Sequence, residues 1–150
     1  MFGLRSAVGV VTILLAAAPT ALAQQPSPAG HVKVASGSAF IVRNNATVPA
    51  RPGQVVFASD TLRTGGDGTV GVTLRDDTRL SLGPSSEVRL ERYVYAPGEG
   101  GFGMVLKFIH GVAAYVSGRI AKLAPDSIRL ETPAAIVGVR GTTVAIRVEP

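Results

Sequence analysis

The sequence predicts an all-β protein: a single domain built as a compact β-sandwich or short β-solenoid of mostly antiparallel short strands. Three observations carry the prediction. Apolar residues alternate with polar residues or glycine over much of the chain. Glycine or proline recurs at intervals of roughly eight to twelve residues, the rhythm of short strands and turns. The stretch nearest to a helical period, Val112 to Leu123, is interrupted by Gly118.

Residues 1–23 read as a secretory leader. Arg5 supplies the positive start, Ala7 to Ala18 the apolar centre, and Ala21-Leu22-Ala23 a small-residue cleavage site before Gln24. The apolar run stops at Pro19-Thr20, well short of the about 20 residues that a membrane-spanning helix needs. No stable membrane span is expected after cleavage; a retained anchor is the alternative. Residues 24–31 form a Pro-rich tether and residues 32–150 the β domain. The chain has no cysteine, which excludes a lipid-anchored lipoprotein and any disulfide. Export without a disulfide suits the periplasm of a Gram-negative bacterium, or secretion from it. In a bacterium the sequon Asn45-Ala46-Thr47 carries no meaning.

Along the domain, Val32 and Val34 alternate with Lys33, and Val55-Val56-Phe57 is a short apolar run. Leu62, Val70, Val72, Leu74, Leu80 and Leu82 all fall on even positions. If Leu74 and Leu80 share the buried face, they lie opposite one another and Val72 faces Leu82. That leaves Asp76-Asp77-Thr78 as a three-residue loop. The two aspartates are then turn formers, since aspartate tolerates left-handed backbone angles and bonds its own backbone. Gly98-Glu99-Gly100-Gly101-Phe102-Gly103 reads as a flexible hairpin loop. It lacks the Gly-Lys-Ser/Thr ending of a phosphate loop.

The end of the chain carries a parity break. Ala135, Val137 and Val139 are odd, whereas Val144, Ile146 and Val148 are even. One face can bury both sets only if the strand gains a residue, as in a bulge or a sharp corner, within Arg140-Gly141-Thr142. Gly138 is expected to allow a close backbone approach or the same bend.

Two segments, GDGTVGVTLRDDTRLSLGPSSEVRL and GVAAYVSGRIAKLAPDSIRLETPAAIVGVRGTTVAI, resemble the periplasmic FecR-type domain. That family is named for the iron-dicitrate sensor that couples an outer-membrane receptor to a sigma factor. Its pattern falls here on Thr64-Gly65, Val70–Leu74, Asp76–Thr78, Leu80–Leu82, Thr132-Pro133 and Val137–Thr142. The resemblance runs from about Ala39 to Val148. It marks Asp76, Asp77, Thr132, Pro133, Gly138, Arg140, Gly141 and Thr142 as family-motif positions, structural or in contact with a partner. Asp77 stands where the family usually has glycine. Signalling members carry a cytoplasmic anti-sigma segment before a membrane span. Only a leader's worth of sequence precedes the domain here, so a short exported form without the anti-sigma part is expected.

Little in the sequence points to catalysis. His31 and His110 are far apart in sequence, no Gly-x-Ser-x-Gly elbow is present, and no clustered ligands suggest zinc. No catalytic residue, cofactor or metal is assigned. Removing Arg5 with the leader lowers the formal charge from +5 to +4, and the basic residues are scattered. With no tryptophan and few other aromatics, a nucleic-acid partner is not expected. Arg140 is expected to pair internally with an acid such as Glu131 or to bond turn carbonyls. Gripping an anion or a partner chain is its alternative role. Tyr93, Tyr95 and Tyr115 are read as packing residues. The functional expectation is a non-enzymatic binding module of the envelope that meets a protein partner through the final strand, Thr143–Val148, or through a loop. Binding of an anionic envelope polysaccharide is the alternative.

Overall fold

The computed structural model describes residues 26–149, together with Gly3, Gly9 and residues 17–22. The expected leader and the first residues of the tether fall largely outside the described residues.

Twelve strands form one curled sheet that closes over a core as an open half-barrel. They are β1 (Gly30–Ser36), β2 (Ala39–Arg43), β3 (Ala46–Pro49), β4 (Val55–Val56), β5 (Thr61–Thr64) and β6 (Thr69–Leu74). After them come β7 (Arg79–Leu82), β8 (Glu87–Ala96), β9 (Gly101–Val116), β10 (Ile128–Glu131), β11 (Ile136–Gly138) and β12 (Thr143–Val148). One short helix, α1 (Arg119–Leu123), follows β9. Among the described residues pairing is antiparallel except between β9 and β10, so the fold is all-β and mostly antiparallel, as the alternation predicts.

The 16-residue β9 is the spine. Its first half pairs with β8 and β10, its second half with β7 and β12. The hinge between the halves is Gly111, at φ 91°. A side chain there would collide with Ser86. The buried Ser86 hydroxyl is what occupies that space: it accepts from Val112 N at 2.8 Å and donates to Val112 O at 3.0 Å. Thr64 in turn receives Ser86 N on Oγ1 at 3.0 Å and donates that hydroxyl to Gly83 O at 2.7 Å. The bend therefore keeps its main-chain groups bonded, as burial requires. Across it the buried side chains change parity, from Met104, Leu106 and Phe108 to Ala113 and Tyr115.

Several local expectations need correction. The β6–β7 loop has three residues, but they are Arg75-Asp76-Asp77; Val72 faces Leu80 and Val70 faces Leu82. Leu74 N bonds Thr78 O at 2.8 Å, and Asp77 takes the left-handed position at φ 69°. This is the ordinary three-residue hairpin geometry. Thr78, just before β7, has its hydroxyl bonded to the Asp76 carboxylate. Val34 does not share the buried face of Val32, because a bulge between them turns it outward to 62% exposure. The fold begins before residue 32: Ala29 is buried and His31 is already paired in β1. Gly101–Gly103 belong to β9, so the glycine-rich stretch is a tight hairpin turned at Pro97–Gly100. Asn44-Asn45, both at positive φ, close a two-residue hairpin between β2 and β3.

Candidate functional site

The family-motif residues sort into a buried anchor and an exposed corner. The anchor is Asp76, whose side chain is fully buried. Its carboxylate accepts from Thr78 Oγ1 at 2.7 Å, Tyr93 Oη at 2.9 Å, Ile120 N at 3.2 Å and Thr78 N at 3.3 Å. Its own amide donates to Tyr93 Oη at 3.0 Å, and its carbonyl accepts from Arg119 N at 2.7 Å. Hydrogen-bond donors thus meet the charge, and one residue joins the β6–β7 turn, β8 and α1. Burial, followed by the nearby Asp76 charge, raises the pKa of Tyr93 well above the usual phenol value. The same two causes push Tyr115 up to about 12. Tyr115 Oη finds no hydrogen-bond partner among the described residues. Asp77, next in sequence, points outward and meets Arg119 at 3.2 Å, both side chains being well exposed.

The corner begins at Thr132, whose Oγ1 accepts from Ala135 N at 3.1 Å and Ala134 N at 3.3 Å. With Thr132 N bonded to Ala135 O at 2.8 Å, this fixes a turn around Pro133. The chain then runs through β11, plugs the core with Val139, and crosses to the other half of the sheet as β12. Gly141 makes the crossing at φ 62°. Gly138 is not held by close packing; the space around it is open. The chain turns a corner here and changes partners, from β10 to β9, but not by switching one buried face from odd to even residues: of the odd set only Val139 is buried, while Ala135 and Val137 are exposed.

Arg140 does not pair with Glu131, which lies beside Arg129 at 3.6 Å. Because Val139 takes the inward position, Arg140 points to solvent, 85% exposed and 3.9 Å from Asp126, which is more exposed still. Such a pair adds little to stability. Thr142 contributes its carbonyl, which accepts from Ser117 N at 3.1 Å.

Sequence reasoning missed the piece that unites anchor and corner. Ser117–Ile120 donates Ser117 N to Thr142 and the amides of Arg119 and Ile120 to Asp76. Gly118 sits between these donors, where a Cβ would strike the main chain of Asp76 and Thr78. The glycine that interrupts the apolar pattern was the available signal, and close approach is its reason.

A shallow groove of about 540 Å³ lies beside the Thr132-Pro133 turn, lined also by Arg89, Lys107, Ile109 and Glu131. A second, of about 550 Å³, lies against β11 between Arg129, Ile136 and Arg140. His110 has Nδ1 2.9 Å from Ser85 O and Nε2 3.2 Å from Glu87. Among the described residues no group of three or more histidines or carboxylates is placed to hold a metal ion.

This arrangement defines a class: a β-sheet module whose buried polar groups fix its shape and whose motif surface is an edge and a corner. Residues 60–150, more than half of the chain, match the family model described as FecR protein, and the chain belongs to the FecR family. The match begins just before β5, so β1–β4 lie outside it, unlike the earlier start at Ala39 that the resemblance implied. Neither the curated proteins nor the solved structures give a match.

Proposed function

We propose that this chain is an exported, non-enzymatic binding module of the bacterial envelope, a short FecR-family form that acts through a protein partner at β12. The observation that supports this reading is the position of β12. Among the described residues it pairs with β9 alone, which leaves the main-chain donors and acceptors of its other side open to a strand. The side-by-side location of the exposed Arg140 corner adds a charged contact at the entrance to that edge. Capture of proteins from envelope extracts, with the chain intact or ending at residue 142, tests the reading. Circular dichroism checks that both forms are folded. Loss of specific capture on truncation is the expected result; equal capture by two folded forms refutes it.

A second reading has its own observation. The strands β1, β4, β6, β7 and β12 and the second half of β9 contain no acidic residue, while His31, Lys33, Arg79 and Arg147 lie among them. This half of the sheet suits an anionic polysaccharide. Binding of a sulfated glycan that falls steeply with added salt, and falls again in an Arg79→Ala/Arg147→Ala variant, is the outcome it requires. Salt-independent binding counts against it.

A further inference from the structure

We propose that the strand received at β12 is β12 of a second copy. Two molecules pair antiparallel, edge to edge, about a two-fold axis through Ala145, and their sheets run together. The inference deepens the reading of β12 as a docking edge and rests on it.

The first argument compares the edges. Among the described residues the sheet ends at β3, β4, β11 and β12. Edge strands of soluble proteins are ordinarily kept short, interrupted by proline, or charged. Here β4 has two residues, β11 has three with a terminal glycine, and β3 ends in Pro49. The fourth edge, β12, has six residues, Thr-Val-Ala-Ile-Arg-Val, with neither glycine nor proline and a single charge. Of the four it is the longest, and Arg147 is its one protective device.

The second argument is that the core runs out at β12. Its inward residues Val144, Ile146 and Val148 pack against the core but stay partly exposed. The equivalent positions one and two strands inward, Ala113, Tyr115, Leu80 and Leu82, are all buried. Completing the burial takes a neighbouring strand with apolar side chains at alternate positions, and β12 is itself such a strand.

The third argument is register. Facing residues of an antiparallel pair point to the same side, so only registers that set even against even cover the inward valines and isoleucine. With the axis at Ala145, Val144 faces Ile146 of the second copy on the inner side. On the outer side Thr143 faces Arg147 of the second copy, and the two small Ala145 side chains meet. No like charges face each other. Moving the axis to Ile146 brings the two Arg147 side chains onto a diagonal, where they repel. The contact is isologous and closes at two copies, which keeps an open edge from propagating into a fibre.

Sedimentation equilibrium of the purified exported chain, from roughly 1 µM to roughly 200 µM, covers the range of weak symmetric contacts. It is paired with mild oxidation of two single-cysteine variants, Ala145→Cys and Thr143→Cys. Any cross-link is unambiguous because the chain has no cysteine of its own. The expected result is a mass rising from monomer to dimer and no further. Cross-linking should be at least several-fold greater at 145, on the axis, than at 143. A monomer throughout the range overturns the proposal, and so does a dimer that cross-links equally at both sites or not at 145. If the dimer fails while capture from envelope extracts still depends on residues 143–150, the docking edge stands with another occupant. If both fail, the edge reading falls with it.

Discussion

Replacing Asp76 by alanine strips the acceptor from four donors at once: Thr78 N, Thr78 Oγ1, Tyr93 Oη and Ile120 N. The site is fully buried, so water does not readily replace the carboxylate. A hydrogen bond to a charged group contributes about 1.5–3 kcal/mol, and an orphaned buried donor costs a similar amount. These terms overlap within one network, so the expected loss is about 3–5 kcal/mol rather than their sum. A domain of this size has about 5–15 kcal/mol in total. The variant should therefore unfold at markedly lower urea. Urea titration followed by far-ultraviolet circular dichroism measures the loss. The neighbouring Asp77→Gly is the control. It relieves the left-handed backbone at φ 69° and gives up only an exposed ion pair, so it should be neutral or slightly stabilising. An Asp76→Ala protein within about 1 kcal/mol of the parent, at an unchanged denaturant slope, would refute the role assigned to the anchor.

Three further outcomes are expected. Tyr115 is held protonated in the folded state up to about pH 12, against 10.0 when unfolded. Its contribution is fully present below pH 10 and is lost as pH rises from 10 through 12. The difference is worth about 3 kcal/mol, so stability measured by urea titration should fall over that window and fall less in Tyr115→Phe. Gly118→Ala should prevent folding or cost at least about 3 kcal/mol, because its side chain would meet main chain rather than a movable side chain; a soluble, normally stable variant contradicts this. Arg140→Ala should stay within about 0.5 kcal/mol of the parent in the same titration, since the side chain is exposed and weakly paired. A large loss would mean that Arg140 has an internal partner.

The strand class was legible because alternation is a local property; the corner at Arg140-Gly141-Thr142 was placed correctly, but on a parity set of which only Val139 is buried, Ala135 and Val137 being exposed. The bend at Gly111, where buried positions pass from even to odd, was not legible in this way, because Val112, Ala114 and Val116 continue the even apolar set in the sequence. The β6–β7 loop length was legible. Its placement was not, because the observed pairing of Val72 with Leu80 differs from the expected one by two residues, and a shift of two keeps every side chain on the same face, so parity cannot separate the two registers. The anchor itself was out of reach. Tyr93 and Ile120 stand 17 and 44 residues from Asp76, and nothing in either's neighbours says they converge. Arg140 was misassigned because the inward position belongs to Val139, and alternation then sends the guanidinium to solvent.

The way β12 lies on β9 also sets how the module answers to mechanical load. Six consecutive residue pairs join the two strands, and β9 is a member of both halves of the sheet. A tug along the axis of β12 strains all of those rungs together in shear, and β9 spreads the tension through the whole body. A tug at right angles peels the strand away one rung at a time. A partner that grips this edge therefore meets a stiff tie in one direction and a zipper in the other.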